Sequence, residues 1–260
     1  MSGNVPCVLN AVIWGLVQGL TEFLPISSSG HLILVPAFLS RAGMSVSEPA
    51  LAVSAVLHLG TLLAVLAYYR RDIASLVRFD NPKLLRLLLI GTIPAVIGYP
   101  LRGSLDDFDD DPRRVALALL FTALVLFAGA LLARGVRRLE EARDSDAVLV
   151  GLAQALALIP GISRSGMTIT AGYARGLSPV EAARFSFLLA VPAIAAGGLV
   201  SLFDLAGSTV DAPALAVGLV VSAVSGYAAI SLLLRVLARI GFLPFAIYAA
   251  TVGVVALIVL

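Results

Sequence analysis

Six stretches of the chain are apolar for close to the thickness of a lipid bilayer: residues 50–69, 84–101, 115–133, 185–203, 214–234 and 244–260. A transmembrane helix needs about 20 mostly apolar residues. A helix that is apolar all round belongs in a large core or in lipid. Six such helices exceed what one core of a 260-residue chain can enclose. Composition agrees: 60% hydrophobic, 13% charged, mean hydropathy +1.01. Soluble domains carry about 25% charged residues, so about half that share is missing. A disulfide scaffold is excluded because Cys7 is the only cysteine. Nucleic-acid binding is not expected from a net charge of +2 with no basic stripe. The expected fold is an all-α polytopic membrane protein, with residues 1–260 as a single integral membrane domain.

Basic residues assign sides, because cytoplasmic loops are rich in Lys and Arg. Loop 70–86 holds Arg70, Arg71, Arg78, Lys83 and Arg86, and loop 134–146 holds Arg134, Arg137, Arg138 and Arg143. Arg175 and Arg184 flank a third loop, and Arg235 and Arg239 a fourth. These are placed in the cytoplasm. Loop 204–211 lacks basic residues, loop 102–114 is acidic at its centre (Asp106 to Asp111), and 41–48 is sparse in charge. These are placed outside. Segment 147–174 then starts and ends in the cytoplasm, which makes it a re-entrant hairpin. Segment 8–40 reads as a second hairpin, entering from outside. Two full crossings, 8–24 and 26–40, satisfy the same charges, but each arm is short for a span.

The two interrupted segments match each other. Gly15-Leu16-Val17-Gln18-Gly19-Leu20 aligns with Gly151-Leu152-Ala153-Gln154-Ala155-Leu156, and Ile26-Ser27-Ser28-Ser29-Gly30 with Ile162-Ser163-Arg164-Ser165-Gly166. Eight of sixteen columns from 15 to 30 are identical at an offset of 136. Three spans separate the copies, and an odd number reverses orientation. The reading is an inverted-topology repeat. Repeat 1 covers about 8–134 and repeat 2 about 147–260, and each is one re-entrant helical hairpin plus three transmembrane helices. Such repeats place sites near the midplane, on broken helices.

Ionisable groups at membrane depth are costly and mark function. Here they are chiefly Glu22, His31, His58 and Arg164. Gln18 and Glu22 share a helix face. Pro25 ends that arm, and Ser27-Ser28-Ser29-Gly30-His31 opens the next. Amides at a helix start and serine hydroxyls offer donors to an anion. In the second copy Arg164 replaces Ser28, Leu158 replaces Glu22 and Met167 replaces His31. If the tips meet, two helix starts and Arg164 converge on a volume suited to phosphate, and a divalent cation would separate that phosphate from Glu22. The bland alternative has the serines capping broken helices and Glu22 pairing with an arginine. Capping explains one serine per tip, and neither the carboxylate nor the histidine. His58 reads as a structural hydrogen-bonding residue, Glu181 as part of a helix start, the aspartate run as a solvated loop, and Trp14, Tyr69 and Tyr248 as packing or interfacial residues.

Gln18-Gly19-Leu20-Thr21-Glu22-Phe23-Leu24-Pro25-Ile26-Ser27-Ser28-Ser29-Gly30-His31 resembles the (E/Q)xxxE motif and serine-rich tip of the undecaprenyl-diphosphate phosphatases, the bacitracin-resistance family. Pro160-Gly161-Ile162-Ser163-Arg164-Ser165-Gly166-Met167-Thr168 is similar to that family's second signature, PGxSRSxxT. The similarity continues through Phe185-Ser186-Phe187-Leu188-Leu189-Ala190-Val191-Pro192 and Leu243-Pro244-Phe245-Ala246-Ile247-Tyr248. It implies a plasma-membrane hydrolase that takes one phosphate from undecaprenyl diphosphate. The reaction recycles the lipid carrier for peptidoglycan and other envelope polymers and confers bacitracin resistance.

The resemblance also implies a divalent cation, Mg²⁺ or Ca²⁺, and a site open to the outer side. Carried over by position, Glu22, Ser28, His31 and Arg164 are catalytic, and Glu22 with Gln18 meets the metal. Ser27, Ser29, Gly30, Ser163, Arg164, Ser165 and Thr168 bind phosphate. Gln at 18, where many members have Glu, puts direct ligation by that residue in question. The attacking group is left open among Ser28 activated by His31, His31 itself, and water activated by His31. The expected partners are the polyprenyl diphosphate and the bilayer, and a homodimer is left open. The competing reading is a transporter or flippase of a lipid phosphate or other anion using the same midplane site.

Overall fold

The computed structural model describes residues 7–43, 51–100, 103, 111–131, 135–204 and 211–260. Among these residues the secondary structure is helical, with no named strand. Eleven α-helices follow in order: α1 (Cys7–Phe23), α2 (Ser28–Arg41), α3 (Leu51–Tyr68), α4 (Arg70–Val77), α5 (Pro82–Gly98), α6 (Pro112–Leu131), α7 (Asp144–Leu156), α8 (Arg164–Ala174), α9 (Pro179–Asp204), α10 (Ala212–Arg239) and α11 (Leu243–Val259).

By length and apolar composition, α6, α10 and the Pro179–Gly197 part of α9 are each able to cross a membrane, and α3, an apolar helix of 18 residues, meets α4 at a bend of 85°. The protein is a polytopic helical membrane protein. Each of the six apolar stretches forms a helix, with shifted bounds. α5 and α11 have 17 residues each, about 26 Å at 1.5 Å per residue and somewhat short of the hydrocarbon core. Two helices run longer than expected. α9 starts at Pro179, so Arg184 lies on the helix and not beside a loop. α10 carries Arg235 and Arg239 within its last turns. A basic side chain at a helix end reaches water along its own stem, so the charge does not stop the helix. Most of the aspartate run, together with most of 41–48 and 204–211, lies outside the described residues.

Both interrupted segments are helical hairpins. α1 and α2 meet at Leu24-Pro25-Ile26, and α7 and α8 meet across 157–163. Pro25 cannot continue α1, and Pro160 and Gly161 interrupt the second pair. Gly161 has φ +88°, and a Cβ there would sit 2.6 Å from the Val115 carbonyl oxygen. Both the turn and the close approach of α6 therefore require glycine at this position.

The first arm of each hairpin packs on a helix from the other half of the chain: α1 lies along α10, and α7 along α5. The second arms, α2 and α8, both reach α6. The main core fills the space between α3, α5, α9 and α10 with Phe23, Leu87, Phe185, Phe187, Leu189 and Leu233. Phe23 meets Phe187 edge-on at 5.3 Å, which fixes the end of α1 one residue beyond Glu22.

At the end of the bundle that carries the basic loops, Asp146 is wholly buried in the first turn of α7. It accepts from Arg137 at 3.0 Å, from Arg175 at 2.8 Å and from the Arg143 amide at 3.0 Å. Burial pushes this carboxyl up, but the amide of Arg143 and the guanidinium groups of Arg175 and Arg137 outweigh it and hold the pKa below the ordinary value. Arg184 ties Asp72, Glu140 and Glu181 together nearby. Glu181 thus belongs to this ion-pair collar as well as to the first turn of α9, where its amide donates to Ser178.

Candidate active site

The two tips touch. Ser165 Oγ donates to the Leu24 carbonyl at 3.0 Å. The Gly161 amide donates to Ser29 Oγ at 3.4 Å. Arg164 Nη2 lies 2.5 Å from Glu22 Oε1. The condition on which the sequence reading depended, that both tips share one volume, is met.

Each tip is shaped by a serine cap. Ser27 Oγ accepts from the Gly30 amide at 3.2 Å, and Ser163 Oγ from the Gly166 amide at 3.1 Å. Ser27 sits 3.3 Å from Ser29 and Ser163 sits 3.2 Å from Ser165, hydroxyl to hydroxyl. Ser27 is held at φ +68°, a strained region for a residue with a side chain, of a kind that clusters at functional sites. Thr122 on α6 braces the second tip: its hydroxyl accepts from the Ser163 amide at 3.0 Å.

Glu22 is the hub. Its Oε2 accepts from Ser28 Oγ at 2.6 Å and from Gln18 Nε2 at 3.0 Å, while Oε1 takes Arg164. A carboxylate offers about four acceptor positions, so three donors leave room for one more. Glu22 is 8% exposed. A buried carboxylate is tolerated at this depth because the guanidinium and two further donors satisfy it. The bland alternative is therefore half right: the serines do cap, and Glu22 does pair with an arginine. It leaves unexplained why Ser28, which caps nothing, aims its hydroxyl at that carboxylate.

Glu22, Ser27, Ser28, Ser29, Ser163 and Arg164 line a cavity of about 170 Å³, closed by His58, Ala157 and Ile162. The other residues expected at the site stand at its edge or behind it. Gln18 is fully buried beneath Glu22. Gly30 lies behind the first tip, its backbone close to Gly161. Ser165 joins the tips. Thr168 is buried one turn into α8, where it bonds the Arg164 carbonyl at 2.7 Å and Ser186 at 2.6 Å.

His31 lies outside the cavity lining, and both of its ring nitrogens are engaged. Nδ1 meets the Ser27 carbonyl at 2.8 Å and Nε2 meets the Tyr248 hydroxyl at 2.9 Å, with the rings stacked. A carbonyl only accepts, so Nδ1 carries a proton, and in the neutral form of the ring Nε2 accepts from Tyr248.

Three residues do more than the sequence suggested. His58 makes the expected structural bond, Nδ1 to the Ser54 carbonyl at 2.8 Å, yet it also faces the cavity; its place in mid-span was the available signal. Tyr248, read as a packing or interfacial residue, holds His31. Thr122 offered no signal, since threonines that bond their own helix are common in apolar helices.

Comparison with known proteins converges on one family. The family model of the bacitracin resistance protein BacA matches residues 11–255. The chain belongs to the BacA family. Relatives of the family resemble it along nearly their whole length. An undecaprenyl-diphosphatase of Alcanivorax borkumensis is 45% identical, covering 94% of this chain and 96% of the relative. One from Maricaulis maris is 43% identical, covering 95% and 97%. A third, from Methanosphaera stadtmanae, is 35% identical, covering 96% and 97%. The segments 18–31 and 160–168 lie within the matched residues and form the two tips that line the cavity.

Proposed function

We propose that the chain hydrolyses undecaprenyl diphosphate to undecaprenyl phosphate and phosphate in the cell membrane, with its site open to the outer side. It thereby returns the lipid carrier to envelope polymer synthesis and confers bacitracin resistance. The observation that carries the reading is the continuous arrangement Ser28–Glu22–Arg164 in the cavity between the tips: a hydroxyl on a carboxylate, and a cation beside both. Family membership and the names of the relatives support the substrate. Binding for transport needs Arg164 and the helix starts but not a hydroxyl held on a base, so the geometry favours hydrolysis over a transporter.

In this reading the terminal phosphate draws Arg164 from Glu22 and takes the guanidinium as its own partner. The capped tips turn amides and the hydroxyls of Ser27, Ser29 and Ser163 toward it. Ser28 Oγ attacks the terminal phosphorus and its proton passes to Glu22. The Ser28–phosphorus bond forms as the bond from phosphorus to the bridging oxygen breaks, and prenyl phosphate leaves. Water then attacks the phosphoserine, and the proton on Glu22 returns to Ser28 as phosphate departs. The hydrogen bond to Glu22 favours Ser28 over His31 as the attacking group. His31 serves as a positioning residue, holding the Ser27 carbonyl against Tyr248.

A divalent cation fits the residues present. Gln18 Oε1 is buried with no hydrogen-bond partner among the described residues, and Glu22, which its amide nitrogen meets, keeps one acceptor position. Among the described residues no group of three His, Cys, Asp or Glu forms a full cage. That suits Mg²⁺, which commonly takes one or two carboxylates and completes its shell with substrate oxygens. Gln18 and Glu22 would hold the ion, and when bound it would neutralise charge on the diphosphate.

Two close approaches support the repeat. A Cβ on Gly15 would lie 3.0 Å from the Gly218 carbonyl of α10, and one on Gly151 2.5 Å from the Gly91 carbonyl of α5. These glycines occupy the same column of the two copies.

The test is phosphate release from farnesyl diphosphate in detergent, with and without EDTA, for the wild type and for Glu22→Gln. Metal-dependent release that Glu22→Gln abolishes is expected. No release by the wild type, with or without metal, would refute the reading.

A further inference from the structure

The short helix α4 takes no part in the site, and its exposed face is built unlike the lipid-facing helices. α3 and α4 meet at 85°, so if α3 spans the bilayer, α4 lies along its surface. One face of α4 is fixed inward: Ile73 and Leu76 pack on the core, and Asp72 pairs with Arg184 at 2.5 Å. The opposite face carries Arg70, Arg71, Val77 and Arg78, all exposed. Positions 70, 71, 74, 77 and 78 fall on one helical stripe. Among the described residues no carboxylate pairs with Arg70, Arg71 or Arg78, while Asp72, the acid of this helix, is spent on Arg184.

The stripe ends in Phe79, which is 73% exposed, as is Val77. Phe79 sits at φ +59°, a conformation unusual for a bulky side chain. Burial does not explain that strain, because the ring meets solvent and not the core. A phenylalanine held outward beside three unpaired arginines has the two parts of an interfacial anchor, an apolar wedge and a cationic rim.

We infer that the α4 stripe binds anionic phospholipid headgroups of the leaflet it faces, which the positive loops put on the cytoplasmic side. Three cationic side chains on one exposed stripe attract the anionic headgroups through their charge. Val77 and Phe79 enter the boundary of the acyl chains. Asp72–Arg184 locks the helix at the angle that holds both against the surface. The inference rests on the sidedness and not on the phosphatase reading.

The full-length chain, in nanodiscs of phosphatidylcholine with and without phosphatidylglycerol, provides the test, read as lipid retained in native mass spectrometry. The wild type should retain phosphatidylglycerol in preference. Each basic residue near an anionic surface contributes about fivefold in affinity, so R70Q/R71Q/R78Q should lose the preference by far more than tenfold. R70K/R71K/R78K should keep it, because charge carries the effect. V77S/F79S should lower retention of both lipids together. All five side chains are exposed, so thermal stability in detergent should hold in each variant. A glutamine triple variant that retains phosphatidylglycerol as well as the wild type would overturn the inference. So would a lysine variant that loses the preference as glutamine does.

Discussion

Hairpin α1/α2 and hairpin α7/α8 are capped alike. Ser27 and Ser163 each accept from the amide three residues on, and each lies against a second hydroxyl two residues on, Ser29 and Ser165. Between those two serines the columns part. The first hairpin has Ser28, held on Glu22, and the second has Arg164, held on the same Glu22 from the other side. One geometry thus presents two groups of different chemistry, a hydroxyl held on a carboxylate and a cation. The serines that match shape the backbone of both tips, and the residues that differ are the two that engage Glu22. The entrances differ as well. Asp146 is clamped by two arginines, whereas its counterpart in the first hairpin, Asn10, has a side-chain oxygen with no partner.

Four measurements break or sharpen that contrast. The largest effect should come from the cation of the second tip. Arg164→Ala is expected to lower phosphate release by about 10³-fold or more, as for arginines that stabilise phosphoryl transfer. Near-normal turnover would remove the division of labour between tips. Next is the base of the first tip: Glu22→Gln should cost about 10²- to 10⁴-fold, and Ser28→Ala should abolish phosphate trapped on the protein in acid-quenched reactions. Turnover by Ser28→Ala with an unaltered rate would return the attack to His31 or water.

A smaller contrast separates Ser29 from Ser165. Ser29→Ala removes a cavity donor and should lower kcat. Ser165→Ala removes the bond to Leu24 and should act through tip geometry, costing about 1 kcal/mol of stability; equal kinetic effects in the two variants would erase the distinction.

The smallest effect on turnover should be at the entrance. Asp146→Asn should destabilise the fold by about 2 kcal/mol, below the figure for a fully buried pair because its arginines are partly exposed. Its kcat below the unfolding temperature should stay unchanged. The carboxyl's folded pKa is depressed, so its contribution is present above its ordinary value of 3.8 and is lost as pH falls through the lower, folded value. Thermal unfolding in detergent should show a smaller loss of stability on acidification for Asp146→Asn than for the wild type.

Much of this was legible in the sequence. Bilayer-length apolar runs became helices, because in lipid a backbone must satisfy its own polar groups. Pro25 and Pro160-Gly161 marked both breaks. The column match at an offset of 136 set Arg164 in the place of Ser28, and it is the meeting of the tips that brings both to Glu22. What stayed hidden depends on contacts between distant parts of the chain. His31 and Tyr248 are 217 positions apart, and Arg164 and Glu22 are 142 apart. Spacing along a helix cannot reveal that His31 turns away from the cavity while His58 turns toward it. The bend at Tyr69 was equally hidden, since the arginines that follow it read only as a loop.

The pairing of Arg164 with Glu22 has a consequence for biogenesis. Each hairpin made alone would carry one uncompensated charge into the hydrocarbon, negative in the first and positive in the second. Only when the tips meet does the centre become neutral. The two halves of the chain are therefore mutual counter-ions during insertion.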